Sequence, residues 1–236
     1  MLKVLLMILG VIVLFIAGLI FLSKAYLKDI IHPVPNLTIT SSAFSDGGMM
    51  PVQYTGKGED INPPLVLEGI SPEAKSIAVI MDDLDTPIGV FNHWIIWNIP
   101  AEFIHIPEAI PKGKVVESLG NAIQGKSQYG GKHYYRGPLP PFGVHRYVFK
   151  VYVLDTVLEL DHNAGKIKLQ KAMDGHILQY GTLTGRFGAE QAIWGSQDYA
   201  SHSAFAWKKA CKTQNPVYAS LSYLKETSTP SKNITY

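Results

Sequence analysis

Cysteine is almost missing from this chain: Cys211 is the only one in 236 residues. No intramolecular disulfide can form. That lack does not fix a compartment, because disulfide-poor domains occur both inside and outside cells. An excess of one charge is missing too. Residues 1–30 carry three Lys and one Asp, and the remainder holds 18 basic and 18 acidic side chains. Nucleic-acid binders show a basic excess or stripe, so nucleic acid is excluded as a partner. There is no Walker-type loop, no activated Ser or Cys nucleophile motif and no nucleotide-binding glycine fingerprint. His32, His105, His133, His162 and His202 show no metal-ligand spacing and read as surface residues. The sequence therefore points to no cofactor and no metal, and to a protein that is not an enzyme.

One long hydrophobic run is present. Val4 to Leu22 is 19 residues without a charge. As a helix it would be about 29 Å long, close to a bilayer core. Residues 1–30 are therefore expected to form a single-pass N-terminal membrane anchor through residues 4–22. The rival is a signal segment cut after Ala25, with Ser23 and Ala25 as the small residues, which would leave a secreted or periplasmic domain. His32 to Asn36, with Pro33 and Pro35, reads as a stiff spacer. Residues 31–190 form the expected domain, and 191–236 a C-terminal extension packing on it or trailing from it.

Within the domain, short apolar or alternating runs are separated by turn residues. Leu37–Thr40, Ser76–Met81, Trp94–Ile99, Arg146–Leu154 and Thr182–Phe187 read as strands. Strands at this density, with Gly and Pro between them, predict a mainly β fold, an antiparallel two-sheet sandwich rather than βαβ winding. One helix is predicted over Ile167–Tyr180. Leu169, Met173, Ile177 and Tyr180 share one apolar face there, and Gly181 ends it.

Two stretches carry chemistry. The first is Met81-Asp82-Asp83-Leu84-Asp85-Thr86-Pro87, followed by Asn92-His93-Trp94. It brings carboxylates and an imidazole to one sheet edge, with Asp82 read as a solvated or turn acid. The second runs from Tyr135-Arg136-Gly137-Pro138 through Pro140-Pro141-Phe142-Gly143 to His145-Arg146-Tyr147. Its prolines and glycines make a pre-shaped loop, and His145 and Tyr147 share a strand face. Imidazole and phenol donate to phosphate or carboxylate oxygens. A carboxylate behind an imidazole fixes its tautomer and favours the charged donor. A second carboxylate could accept from an ammonium group, giving a site for a zwitterionic head group.

These two stretches resemble the signature segments of the phosphatidylethanolamine-binding (Raf-kinase-inhibitor-like) family, nearest its bacterial and archaeal branch. Trp97-Asn98-Ile99-Pro100, Asn62-Pro63-Pro64-Leu65, Gly175-His176 and Leu183-Thr184-Gly185 add to the likeness, which covers roughly residues 37–190. The resemblance implies a sandwich of that type with a few peripheral helices. It also implies an anion pocket lined by Asp83, Asp85, His93, Gly137, Pro138, His145 and Tyr147. Thr86-Pro87 falls where the family often has a cis peptide. Leu84 stands where the family has proline between the two acids. The expected ligand is a small anion or phosphorylated head group. Two rivals stay open: inhibition of a kinase or protease partner through surface loops, and hydrolysis by Asp and His acid–base chemistry.

Overall fold

The computed structural model describes residues 7–15, 17–18, 29, 31 and 33–188. Its β-strands are β1 (Thr38–Thr40), β2 (Leu65–Glu68), β3 (Ser76–Thr86), β4 (Gly89–Pro100), β5 (His105–Ile106), β6 (Val115–Val116), β7 (Ala122–Gln124), β8 (Val144–Leu154) and β9 (Ile177–Gly188). Residues 7–15 are helical (α1), and α2 spans Lys166–Met173. β1, β2 and β5 make a three-stranded sheet. A six-stranded sheet has the order β6-β7-β4-β3-β8-β9, and neighbours in both sheets are antiparallel. The predicted two-sheet sandwich is the fold observed.

Parity along β3 and β8 builds two cores. Ile77, Val79 and Met81 face the small sheet, together with Phe149, Val151 and Val153. Ala78 and Ile80 face the other way, and with Tyr152 and Leu154 they pack under α2, which contributes Leu169 and Met173. The large sheet is thus covered on both faces. This explains why β3 is buried continuously from Ser76 to Asp83 rather than at every second residue.

The structure differs from expectation at two helices. The apolar spacing Leu169, Met173, Ile177, Tyr180 is real, since all four pack into the outer cluster. The last two do so from β9, however: the helix stops at Met173, Gly175 turns the chain at φ +82°, and Ile177 pairs with Leu154. Gly181 ends no helix. It sits inside β9, where a Cβ would lie 2.3 Å from the Leu37 carbonyl oxygen.

The second correction removes the expected membrane anchor. No helix among the described residues is long and apolar enough to cross a membrane. The alternative cut near Ala25 and the extension 191–236 lie outside the described residues.

Candidate functional site

Asp83, His145 and Tyr147 come together through the same parity. Asp83 lies opposite Tyr147 in the β3–β8 ladder, and His145 is the next residue of β8 on that face. His145 Nδ1 and Asp83 Oδ2 are 2.7 Å apart, with both side chains almost fully buried. Asp83 Oδ1 accepts from the Asp85 amide at 2.8 Å. The carboxylate is therefore fixed at both oxygens and holds the imidazole in one orientation.

His93 reaches this group by a β-bulge. Met81 pairs with Trp94, but the next residue, Asp82, pairs with Asn92, so β4 carries one extra residue at His93. A bulge re-aims side chains. Here it puts His93 and Trp94 on the inner face and turns Asn92 to the outer face, where its Nδ2 donates to Asp82 Oδ1. The His93 ring meets Tyr147 edge-on, with centroids 5.3 Å apart. Its Nδ1 donates to the Arg136 carbonyl at 2.8 Å; a carbonyl can only accept, so the tautomer is set. Burial lowers the His93 pKa, against the Arg136 carbonyl and Asp83, which raise it. Neither His93 Nε2 nor His145 Nε2 has a hydrogen-bond partner among the described residues.

Tyr147 completes the site. Its hydroxyl is buried close to the Asp83 carboxylate and the Leu139 backbone, though neither meets full hydrogen-bond geometry. Burial, then the Asp83 carboxylate, pushes its pKa far above the ordinary phenol value. Phe91 and Tyr129 pack their rings against His93 at 5.4 and 5.5 Å, and the Arg136 guanidinium lies over Tyr129 at 5.0 Å.

The other expected residues take different places. Gly137 and Pro138 belong to the wall. The Gly137 amide donates to Asp60 Oδ1 at 2.7 Å, and the Pro138 carbonyl accepts from Gly56. A Cβ at Gly137 would stand 2.5 Å from the Tyr54 carbonyl oxygen, so only glycine lets this loop approach. Asp85 is engaged at the rim. Its two oxygens accept from the Arg146 amide, Nε and Nη2 at 2.8, 2.9 and 2.6 Å, and the Arg146 hydrogen bond is the main reason its pKa is lowered. Thr86–Pro87 is trans.

Two sets of residues escaped the sequence reading. Asp60, with φ +60°, pairs with Arg136 and Gly137 and so fixes the loop that orients His93. Asp82 is not solvated. It is fully buried on the outer face, 2.7 Å from both Lys150 and Lys166, and those lysines also bind Asp29. The available signal was a lysine inside the apolar run Phe149-Lys150-Val151, a charge that must find a buried partner.

Solved structures share this architecture. A Chlamydia trachomatis homolog of the phosphatidylethanolamine-binding proteins matches with a TM-score of 0.58 at 34% identity, over 65% of this chain and 98% of that one. An Escherichia coli protein described as a new member of the mammalian PEBP family matches with a TM-score of 0.60 at 25% identity, over 64% and 98%. The sequence model described as phosphatidylethanolamine-binding protein matches residues 40–188, and the chain belongs to this family. Archaeal relatives include a UPF0098 protein of Pyrococcus abyssi, 51% identical over 62% of this chain and 83% of its own, and one of Methanothermobacter thermautotrophicus, 43% identical over 64% and 98%.

Proposed function

We propose that this binding protein holds a small phosphate-bearing anion, free or as a phospholipid head group, between His93, His145 and Tyr147. The observation that carries the reading is the pair of imidazoles on either side of Tyr147: His93 and His145 are each held through Nδ1, and neither Nε2 has a hydrogen-bond partner among the described residues. A tetrahedral oxyanion offers acceptors to both. Asp83 anchors His145 from behind and fixes the direction of its Nε2. The role is binding without turnover. If a panel of phosphoesters were hydrolysed and Asp83→Asn abolished that activity, this part would be wrong.

Calorimetric titration with phosphate and phosphoethanolamine tests the pocket. His145→Asn keeps a donor toward Asp83 while removing Nε2, and it should weaken binding at least tenfold with little change in the fold. Equal affinity would remove the assignment.

A second reading, control of a kinase or protease partner, is favoured by one feature. Ile88 in the β3–β4 turn, Phe142 in the loop before β8 and Val144 at the start of β8 are large apolar residues 45%, 59% and 38% exposed. Substituting Phe142→Ser should then weaken inhibition of a captured kinase or protease without altering phosphate affinity. Unchanged inhibition would count against it.

A further inference from the structure

The bulge that brings His93 inward is held by its neighbour in sequence. Asn92 is 1% exposed, and its Nδ2 is shared among three acceptors. These are the Met81 carbonyl and Asp82 Oδ1 on β3, and the Trp94 carbonyl on β4 itself, at 3.1, 3.0 and 3.2 Å. One amide nitrogen thus ties Asn92 to Trp94 across His93, and ties both to the neighbouring strand. Asp82 is a fixed anchor for it, because Lys150 and Lys166 hold its other carboxylate oxygen at 2.7 Å.

The main chain of Asn92 is fastened as well. β7 pairs with β4 only at Ile96 and Trp97, so the edge of β4 beside the bulge takes its hydrogen bonds from elsewhere. The Asn92 N–H donates to Gln128 Oε1 at 2.5 Å, and its carbonyl accepts from the Gln128 N–H at 3.1 Å. The next residue, Tyr129, packs its ring on His93 and lies under the Arg136 guanidinium. Asn92 therefore fixes both the backbone on which His93 stands and the loop against which its ring rests.

The chemistry of the side chain fits this task. Asn92 Oδ1 is buried without a hydrogen-bond partner. The amide cannot flip to relieve it, since the oxygen would then face all three acceptors. Aspartate, of the same shape, would set an oxygen against Asp82, so only the amide serves. We infer that Asn92 is a positioning residue for the anion pocket: by spanning the bulge it holds His93 inward with Nε2 presented to the ligand, without touching the ligand itself. The role rests on the phosphate-binding reading of that pocket.

The test follows the His93 ring nitrogens by NMR in the isotopically labelled full chain, first without phosphate and then with it. Asn92→Ala and Gln128→Ala are compared with the parent and with Leu169→Ala, whose side chain is buried in the outer core and reports loss of stability alone. The parent should show the Nδ1–H tautomer that the Arg136 carbonyl demands. Asn92→Ala should populate the Nε2–H tautomer and move the ring's titration toward 6.5. Gln128→Ala, at an exposed residue, should do the same to a smaller degree, whether or not Asn92→Ala folds. Phosphate affinity should fall at least fivefold in Asn92→Ala and stay within about twofold of the parent in Leu169→Ala. A His93 ring unchanged in every folded variant at 92 and 128, or changed equally in Leu169→Ala, would overturn the positioning role. A parent that binds no phosphate, with the tautomer change still seen in Asn92→Ala, would overturn the phosphate reading and leave the positioning of His93 standing.

Discussion

Tyr147→Phe separates a binding role from a structural one. The lost hydroxyl lies close to Asp83 and the Leu139 backbone without full hydrogen-bond geometry to either, so the change should cost less than about 1 kcal/mol in denaturant unfolding. Phosphate affinity should nonetheless fall at least fivefold by calorimetry. A tyrosine needed only for packing would show the reverse. Asp83, His145 and Tyr147 were legible in the sequence because period-two parity in β8 and a paired strand suffice to bring them together. His93 is different: strict alternation with the inward Trp94 would send it to the outer face, and only the extra residue in β4 returns it. Asp85 was named for the pocket because it follows Asp83 by two, but Arg146 beside it offers three donors and holds it at the rim.

At the scale of elements, β3 and β8 are joined by a charge pair that sequence alone hid. Asp82 accepts from Lys150 and Lys166 inside an otherwise apolar layer. Asp82→Ala would take from Lys150 and Lys166 the buried carboxylate that both contact, and should cost about 3–5 kcal/mol in denaturant unfolding. A loss below about 1 kcal/mol would mean that the cluster is solvated in solution. The helix prediction failed for a related reason. Period-3.6 spacing records which residues reach the outer core, and Ile177 and Tyr180 reach it from a strand. Gly175 marked the break between helix and strand more truly than the apolar pattern did. Gly137→Ala should push the loop off the Tyr54–Thr55 backbone and so loosen the Arg136 carbonyl that sets the His93 tautomer. Weaker phosphate binding together with an altered His93 titration curve by NMR is the expected outcome.

For the whole molecule, pH acts through groups of opposite sign. Burial lowers the folded pKa of His93 from its ordinary 6.5. Its contribution to stability is therefore complete above 6.5 and shrinks as pH falls toward the lowered value, where the unfolded chain binds the extra proton. Burial alone would raise the pKa of Asp29, but Lys150 and Lys166 outweigh that and hold it at about 2. Its contribution is present above 3.8 and is lost as pH falls toward 2, so thermal unfolding should show two acid-side losses, the lower one reduced in Asp29→Asn, with Asp85 supplying part of the remainder. Ligand binding runs the other way. An anion at His93 Nε2 favours the imidazolium, so binding takes up a proton, and phosphate affinity should decline as pH rises above the free His93 pKa. The sandwich itself was legible from strand density and turn residues. The anchor expected from residues 4–22 was not sustained, since no helix among the described residues is long and apolar enough to cross a membrane. The most direct measurement is a crystal structure of this protein soaked in phosphate. Tetrahedral density within hydrogen-bonding distance of His93 Nε2, His145 Nε2 and the Tyr147 hydroxyl is the predicted result, and an empty pocket at saturating phosphate would contradict it.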